Sequence, residues 1–291
     1  MNTTRSGTGV RVATAAILVP VTVAAVWFGP LWLVAVLAGL VAVRCLEEFF
    51  ALGAQQGLGS YRLWTDICAL GLVAAQWRLV VGGGGWSVTS DLGLPNVGQW
   101  SPGINVELVL LGFLVGVAGI VVLGSRALKD VLPALGMSAA GLLLIALPLS
   151  YMVRLQGLEN GRVWLLFTLA LVWAGDALGY FAGRGIGRLP LAPQISPQKT
   201  WEGAAANLIG SLLVAAIFSL WLDVGPMHVV SVAVLANLAG QLGDLLESAY
   251  KRGAGVKDSG VLLPGHGGML DRVDALIFAA PAVWVYAVRL Y

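Results

Sequence analysis

The chain has 291 residues, 58% of them hydrophobic and only 11% charged, with a mean hydropathy of +0.86. So little charge, with apolar runs of about 20 residues recurring along the length, excludes a soluble domain and predicts an all-α, polytopic integral membrane protein. A net charge of +2, with basic residues dispersed between apolar runs, excludes a nucleic-acid partner, and the lack of strand-like alternation argues against a β-barrel.

The apolar runs predict about nine transmembrane helices, at roughly 12–28, 30–43, 63–81, 104–123, 134–153, 162–182, 204–222, 227–246 and 273–290. The first follows Arg5 and Arg11 without a small-residue cleavage site, which predicts a retained helix rather than a removed signal peptide. Gly29-Pro30 separates the first two runs, as a tight hairpin or as a kink in one element. Glu47 and Glu48 follow Arg44 where the second run ends and read as a solvated helix end, with one of them facing the later polar cluster as the alternative. Cys45 and Cys68 have no CxxC spacing and read as small buried side chains.

With the N-terminus placed in the cytoplasm, thirteen of the 17 Lys and Arg residues fall in cytoplasmic loops, which predicts N-inside, C-outside. The loop at about 82–103 then lies outside; it is free of Lys and Arg, and its two tryptophans read as interfacial anchors. Two regions are expected: N-terminal transmembrane helices over 1–150 and a C-terminal catalytic region over 151–291.

Two polar segments stand out on the cytoplasmic side. The first, 174–203, carries Gly175, Gly179, Gly183 and Gly187 at four-residue spacing, a stripe that lets another helix approach closely. Asp176 lies beside the stripe within a span, where an acid is a functional candidate by default. The loop that follows contains Ser196, Lys199, Thr200 and Glu202, donors and charges suited to phosphate oxygens.

The second segment, 243–274, gathers five acids and four cations: Asp244, Glu247, Asp258, Asp271, Asp274, Lys251, Arg252, Lys257 and Arg272. Helical spacing aligns Asp244, Glu247, Ser248 and Lys251 on one face, and Asp271 with Asp274 on another. Two helices can therefore present carboxylates to each other, hard ligands that suit Mg²⁺. Gly267 and Gly268 leave backbone open to phosphate.

The run from Ser248-Ala-Tyr250-Lys251-Arg252 through Lys257-Asp258-Ser259-Gly260 to Pro264-Gly265-His266-Gly267-Gly268-Met269-Leu270-Asp271-Arg272-Val273-Asp274 resembles the signature of the phosphatidate cytidylyltransferase (CDP-diacylglycerol synthase) family. Ile195-Ser196-Pro197-Gln198-Lys199-Thr200-Trp201-Glu202-Gly203 resembles a second segment of that family, and Tyr250 departs from its usual aliphatic residue or Phe. The resemblance implies cytidylyl transfer from CTP to phosphatidic acid, with Mg²⁺ and room for a second cation.

On that reading Asp244 and Asp271 are the main metal ligands, with Asp274 and Asp176 secondary. Lys251, Arg252, Lys257 and Arg272 clamp phosphates, with Asp258 and His266 among the catalytic residues, and Ser196, Lys199, Ser248, Gly267 and Gly268 bind substrate. Membrane lipids surround the chain, a homodimer is implied, and the expected location is a prokaryotic plasma membrane with the site facing the cytoplasm. A CTP-dependent polyprenol or lipid kinase and an ion-coupled transporter are the alternative readings.

Overall fold

The computed structural model describes residues 4–82, 104–262 and 267–290, with side chains from residue 16 onward. The helices are α1 (Thr4–Phe28), α2 (Leu31–Gln55), α3 (Arg62–Val81), α4 (Val106–Leu123), α5 (Leu128–Gln156), α6 (Gly161–Ile186), α7 (Trp201–Phe218), α8 (Pro226–Gly253) and α9 (Leu270–Ala287). A short antiparallel hairpin, β1 (Pro190–Ala192) and β2 (Ser196–Thr200), lies between α6 and α7.

Among the described residues six helices, α3 to α8, are long and apolar enough to cross a membrane, which makes this an all-α multi-pass membrane protein. The described apolar part of α1, Ala16–Phe28, is shorter. Arg44, Glu47 and Glu48 put charge in the middle of α2, and Asp271, Arg272 and Asp274 stand at the start of α9. The loop with the two tryptophans, at 83–103, lies outside the described residues.

Local chemistry sets the boundaries. Pro30 separates α1 from α2, so the first two runs are distinct helices. Asn105 caps α4 by accepting from the Leu108 N–H at 2.7 Å, and Thr200 caps α7 by accepting from the Gly203 N–H at 3.1 Å. A π-helical turn at Leu142–Ala146 precedes Pro148 in α5, where the missing proline N–H breaks the regular ladder.

Two apolar clusters organise the bundle. One joins α6 to α9 through Phe167, Leu171, Ala215, Ala236 and Val283; the other joins α2, α3 and α5 through Leu46, Phe50, Leu72 and Leu149. Helix α9 serves both, with Leu276 in the first and Ile277 in the second.

Small residues let the helices meet backbone to backbone where lipid gives no hydrophobic drive for association. A Cβ on Gly210 of α7 would lie 2.8 Å from the Ala174 carbonyl oxygen of α6, and one on Gly203 would lie 3.0 Å from the Gly179 carbonyl oxygen. The glycine stripe of α6 is thus a packing seam. At Gly243 a Cβ would fall 2.6 Å from the Asp274 carbonyl oxygen, so α8 lies directly against α9 there.

Candidate active site

That close approach delivers the carboxylates. Asp244 and Glu247, next to Gly243 on α8, face Asp274 on α9, and one oxygen from each of the three lies within 4.8 Å of the others. Three like charges at this range repel unless cations sit among them. Glu247 is 2% exposed, and its Oε1 is buried with no hydrogen-bond partner among the described residues. A cluster of hard oxygen donors with one orphaned carboxylate oxygen fits a divalent cation.

Two lysines flank the trio. Lys251, one turn beyond Glu247, places Nζ 2.6 Å from Glu247 Oε2 and 2.7 Å from Asp271 Oδ1. Lys199 arrives from β2, its Nζ 2.5 Å from Asp244 Oδ2. The hairpin is held in place at its turn, where Arg252 Nε donates to the Ile195 carbonyl oxygen at 3.2 Å and Arg252 Nη1 donates to that of Val256 at 3.0 Å.

Asp271 takes a different position from the trio. Its Oδ2 accepts from the Gly268 N–H at 2.7 Å and the Ser259 N–H at 2.9 Å, and lies 3.0 Å from Ser259 Oγ. It ties the loop after α8 to the start of α9 while its other oxygen holds Lys251. Asp176, on α6, is exposed and accepts from Asn207 Nδ2 at 3.1 Å, the outer end of a polar chain running through Asn207, Asn237 and Gln241.

The solvated-end reading of Glu48 is corrected by its burial. Helix α2 continues past it to Gln55, and Glu48 is 4% exposed. Its Oε1 accepts from the Met269 N–H at 2.9 Å; its Oε2 accepts from the Leu270 N–H at 2.9 Å and from Ser259 Oγ at 2.8 Å. A carboxylate from α2 therefore caps the start of α9, satisfying donors that a helix start leaves open. Its partner Glu47 remains half-exposed and pairs with Arg44.

The loop glycines serve this arrangement. Gly267 has φ +78°, a conformation that favours glycine. A Cβ on Gly268 would overlap Glu48 Oε2 and Ser259 Oγ, and one on Gly260 would press on Glu48 Oε1 at 2.9 Å. They make room for the protein's own carboxylates, and the Gly268 N–H is itself taken by Asp271.

The model of the "Cytidylyltransferase family" matches residues 9–290. The chain belongs to the cytidylyltransferase family. A phosphatidate cytidylyltransferase of Brucella abortus (biovar 1, strain 9-941) is 38% identical over 238 residues, 79% of this chain and 80% of that protein. Proteins of the same name from Haemophilus influenzae and Bacillus subtilis are 46% identical over 128 residues (42% of this chain, 44% of that protein) and 39% over 137 (46% and 51%).

Within this cytidylyltransferase the structure brings together Asp244, Asp274, Lys199, Lys251 and, as their anchor, Asp271. Ser248 is buried beside Glu247, and Ser196 sits half-buried in β2 opposite Ala192. Lys257 and Asp258 are exposed on the loop after α8, and Arg272 is exposed at the start of α9. His266 lies outside the described residues. The sequence places Glu247 on the right helix face without marking it as a ligand, and offers contact between one of Glu47 and Glu48 and the later polar cluster only as the alternative to a solvated helix end. The signal for Glu48 was its position: Cys45 and Leu52, three before and four after, are both buried apolar residues of α2.

Proposed function

We propose that the chain transfers the cytidylyl group of CTP to phosphatidic acid, releasing pyrophosphate and forming CDP-diacylglycerol. The observation that carries this reading is the Lys199–Asp244 pair, which joins the two polar segments at a single acidic cluster. The name shared by the relatives favours phosphatidic acid as acceptor. The bacterial relatives favour a plasma membrane location, and the positive-inside count favours a cluster open to the cytoplasm, where CTP is found.

A phosphate oxygen of phosphatidic acid attacks the α-phosphorus of CTP, an α-phosphorus–oxygen bond forms, and the bond to the β-phosphate oxygen breaks with pyrophosphate leaving. The nucleophile is already anionic, so the protein's task is alignment and charge neutralisation rather than proton removal. Asp244, Glu247 and Asp274 would hold Mg²⁺, which when bound neutralises nucleotide phosphate charge.

Lys199 stands at the edge of the trio, where its ammonium can turn from Asp244 to an incoming phosphate. Lys251 is held from two sides and keeps Glu247 and Asp271 at a fixed separation. Exposed Lys257 and Arg272 extend the positive rim towards the headgroup.

The test is incubation of the purified protein with labelled CTP and phosphatidic acid, with and without Mg²⁺. Mg²⁺-dependent label in lipid together with pyrophosphate is the expected outcome. Release of CDP would mark a lipid kinase instead, and absence of turnover would favour the transporter reading.

A further inference from the structure

Glu48 lies in the N-terminal half, 211 residues before Ser259 and 222 before Leu270, yet its carboxylate accepts three hydrogen bonds from the loop and helix start that carry Asp271 and Asp274. Nothing in the transfer chemistry above requires it. Its burial is nearly complete, and its nearest cation is Arg44, whose Nε is 3.7 Å from Oε1. Removing a carboxylate from water in a largely apolar bundle is costly, so the site must draw something from it.

What it gains is register. The Met269 and Leu270 N–H groups are at the start of α9, and fixing them fixes the rotation of the helix one turn before Asp274. Ser259 Oγ lies within hydrogen-bond distance of both Glu48 Oε2 and Asp271 Oδ2, so the hydroxyl links the carboxylate from α2 to the one that orients Lys251. Gly260 and Gly268 leave the space that Glu48 occupies.

We propose that Glu48 is a positioning residue for the transfer reaction, setting the rotation and depth of α9 so that Asp274 meets Asp244 and Glu247 while Asp271 meets Lys251. The proposal rests on the cytidylyltransferase reading for its catalytic consequence, but the arrangement it describes can be measured without turnover.

The experiment compares Glu48→Gln with wild type and with Glu47→Gln, which alters the exposed neighbour. Glutamine retains the shape but turns an NH₂ group towards N–H and O–H donors. Mn²⁺ binding followed by electron paramagnetic resonance is expected to weaken, by no more than the about 10–100-fold that losing a direct hydrogen-bond partner of a metal ligand costs, because Glu48 acts through the start of α9. Hydrogen exchange over 256–270 should accelerate, and the Mg²⁺ concentration for half-maximal turnover should rise. Glu47→Gln should leave all three unchanged.

Ser259→Ala, which removes one of the three bonds, should shift them in the same direction by less. It decides the matter if Glu48→Gln fails to fold. Wild-type Mn²⁺ affinity and exchange in the variant that folds would overturn the proposal. So would a lower melting temperature with unchanged metal dependence, which marks a purely structural group. Wild-type protein inactive on CTP and phosphatidic acid would remove the function reading alone, leaving the Mn²⁺ and exchange comparison intact.

Discussion

Lys251→Met removes the cation that two carboxylates share. The Lys251 side chain is 12% exposed, and those of Glu247 and Asp271 are 3% and 6% exposed, so water cannot easily take over its role. Breaking a buried ion pair by deleting one partner costs about 3–5 kcal/mol, because the remaining charge stays buried and unpaired. At about 2.1 cal/mol/K per residue, the unfolding entropy of a 291-residue chain is about 0.6 kcal/mol/K, so the melting temperature should fall by about 5–8 °C. Cys45 and Cys68 are free and buried, so a thiol-reactive fluorescent dye reports their exposure on heating. Adding Glu247→Gln to Lys251→Met removes one orphaned charge and should recover at least part of the loss. A single variant that melts with the wild type, or a double variant less stable than the single one, would refute the reasoning.

Asp244→Asn and Asp274→Asn should cut Mg²⁺-dependent turnover by more than the ~10–100-fold cost of an outer-sphere loss; Asp274→Asn should also melt at or above the wild-type temperature, because it relieves repulsion within the trio, whereas Asp244→Asn gives up the Lys199 pair as well. Asp271→Asn should lose activity and stability together, since its carboxylate holds Lys251, Ser259 and Gly268; stability above wild type would contradict the anchoring role. Gly243→Ala forces a methyl against the Asp274 carbonyl and should cost about 1–3 kcal/mol and separate the carboxylates, whereas Gly136→Ala, with open space around it, should retain full activity. Tyr250 carries a buried hydroxyl without a hydrogen-bond partner among the described residues, so Tyr250→Phe should be neutral or stabilising by about 1 kcal/mol, with turnover unchanged.

The membrane bundle was legible because a period and a length suffice to find an apolar helix. The face that Asp244, Glu247 and Lys251 share on α8 followed from spacing alone, since helix geometry is local. Sequence could not give the partner of each charge. Lys199 and Asp244 are 45 positions apart and meet only because the hairpin at 190–200 folds over the end of α8, where the sequence shows only a loop. Asp271 belonged to the right cluster, yet whether it faces cation or backbone depends on the turn at Gly267. Glu48 was hidden by an early stop: α2 was ended at 43, and its continuation to Gln55 turns a helix end into a buried position.

The capping of α9 by Glu48 also has a bearing on biogenesis. At about 5–20 residues per second, synthesis from Glu48 to Ser259 takes about 10–40 s, and during that interval the acid has none of its native acceptor contacts. Helices α1 to α8 precede α9 in the chain and can pack in the meantime, but the contact between α2 and the start of α9 cannot form until Met269 and Leu270 have been made. The acidic trio, which needs Asp274 from α9, is therefore assembled late, on a helix start that a much earlier residue holds in register.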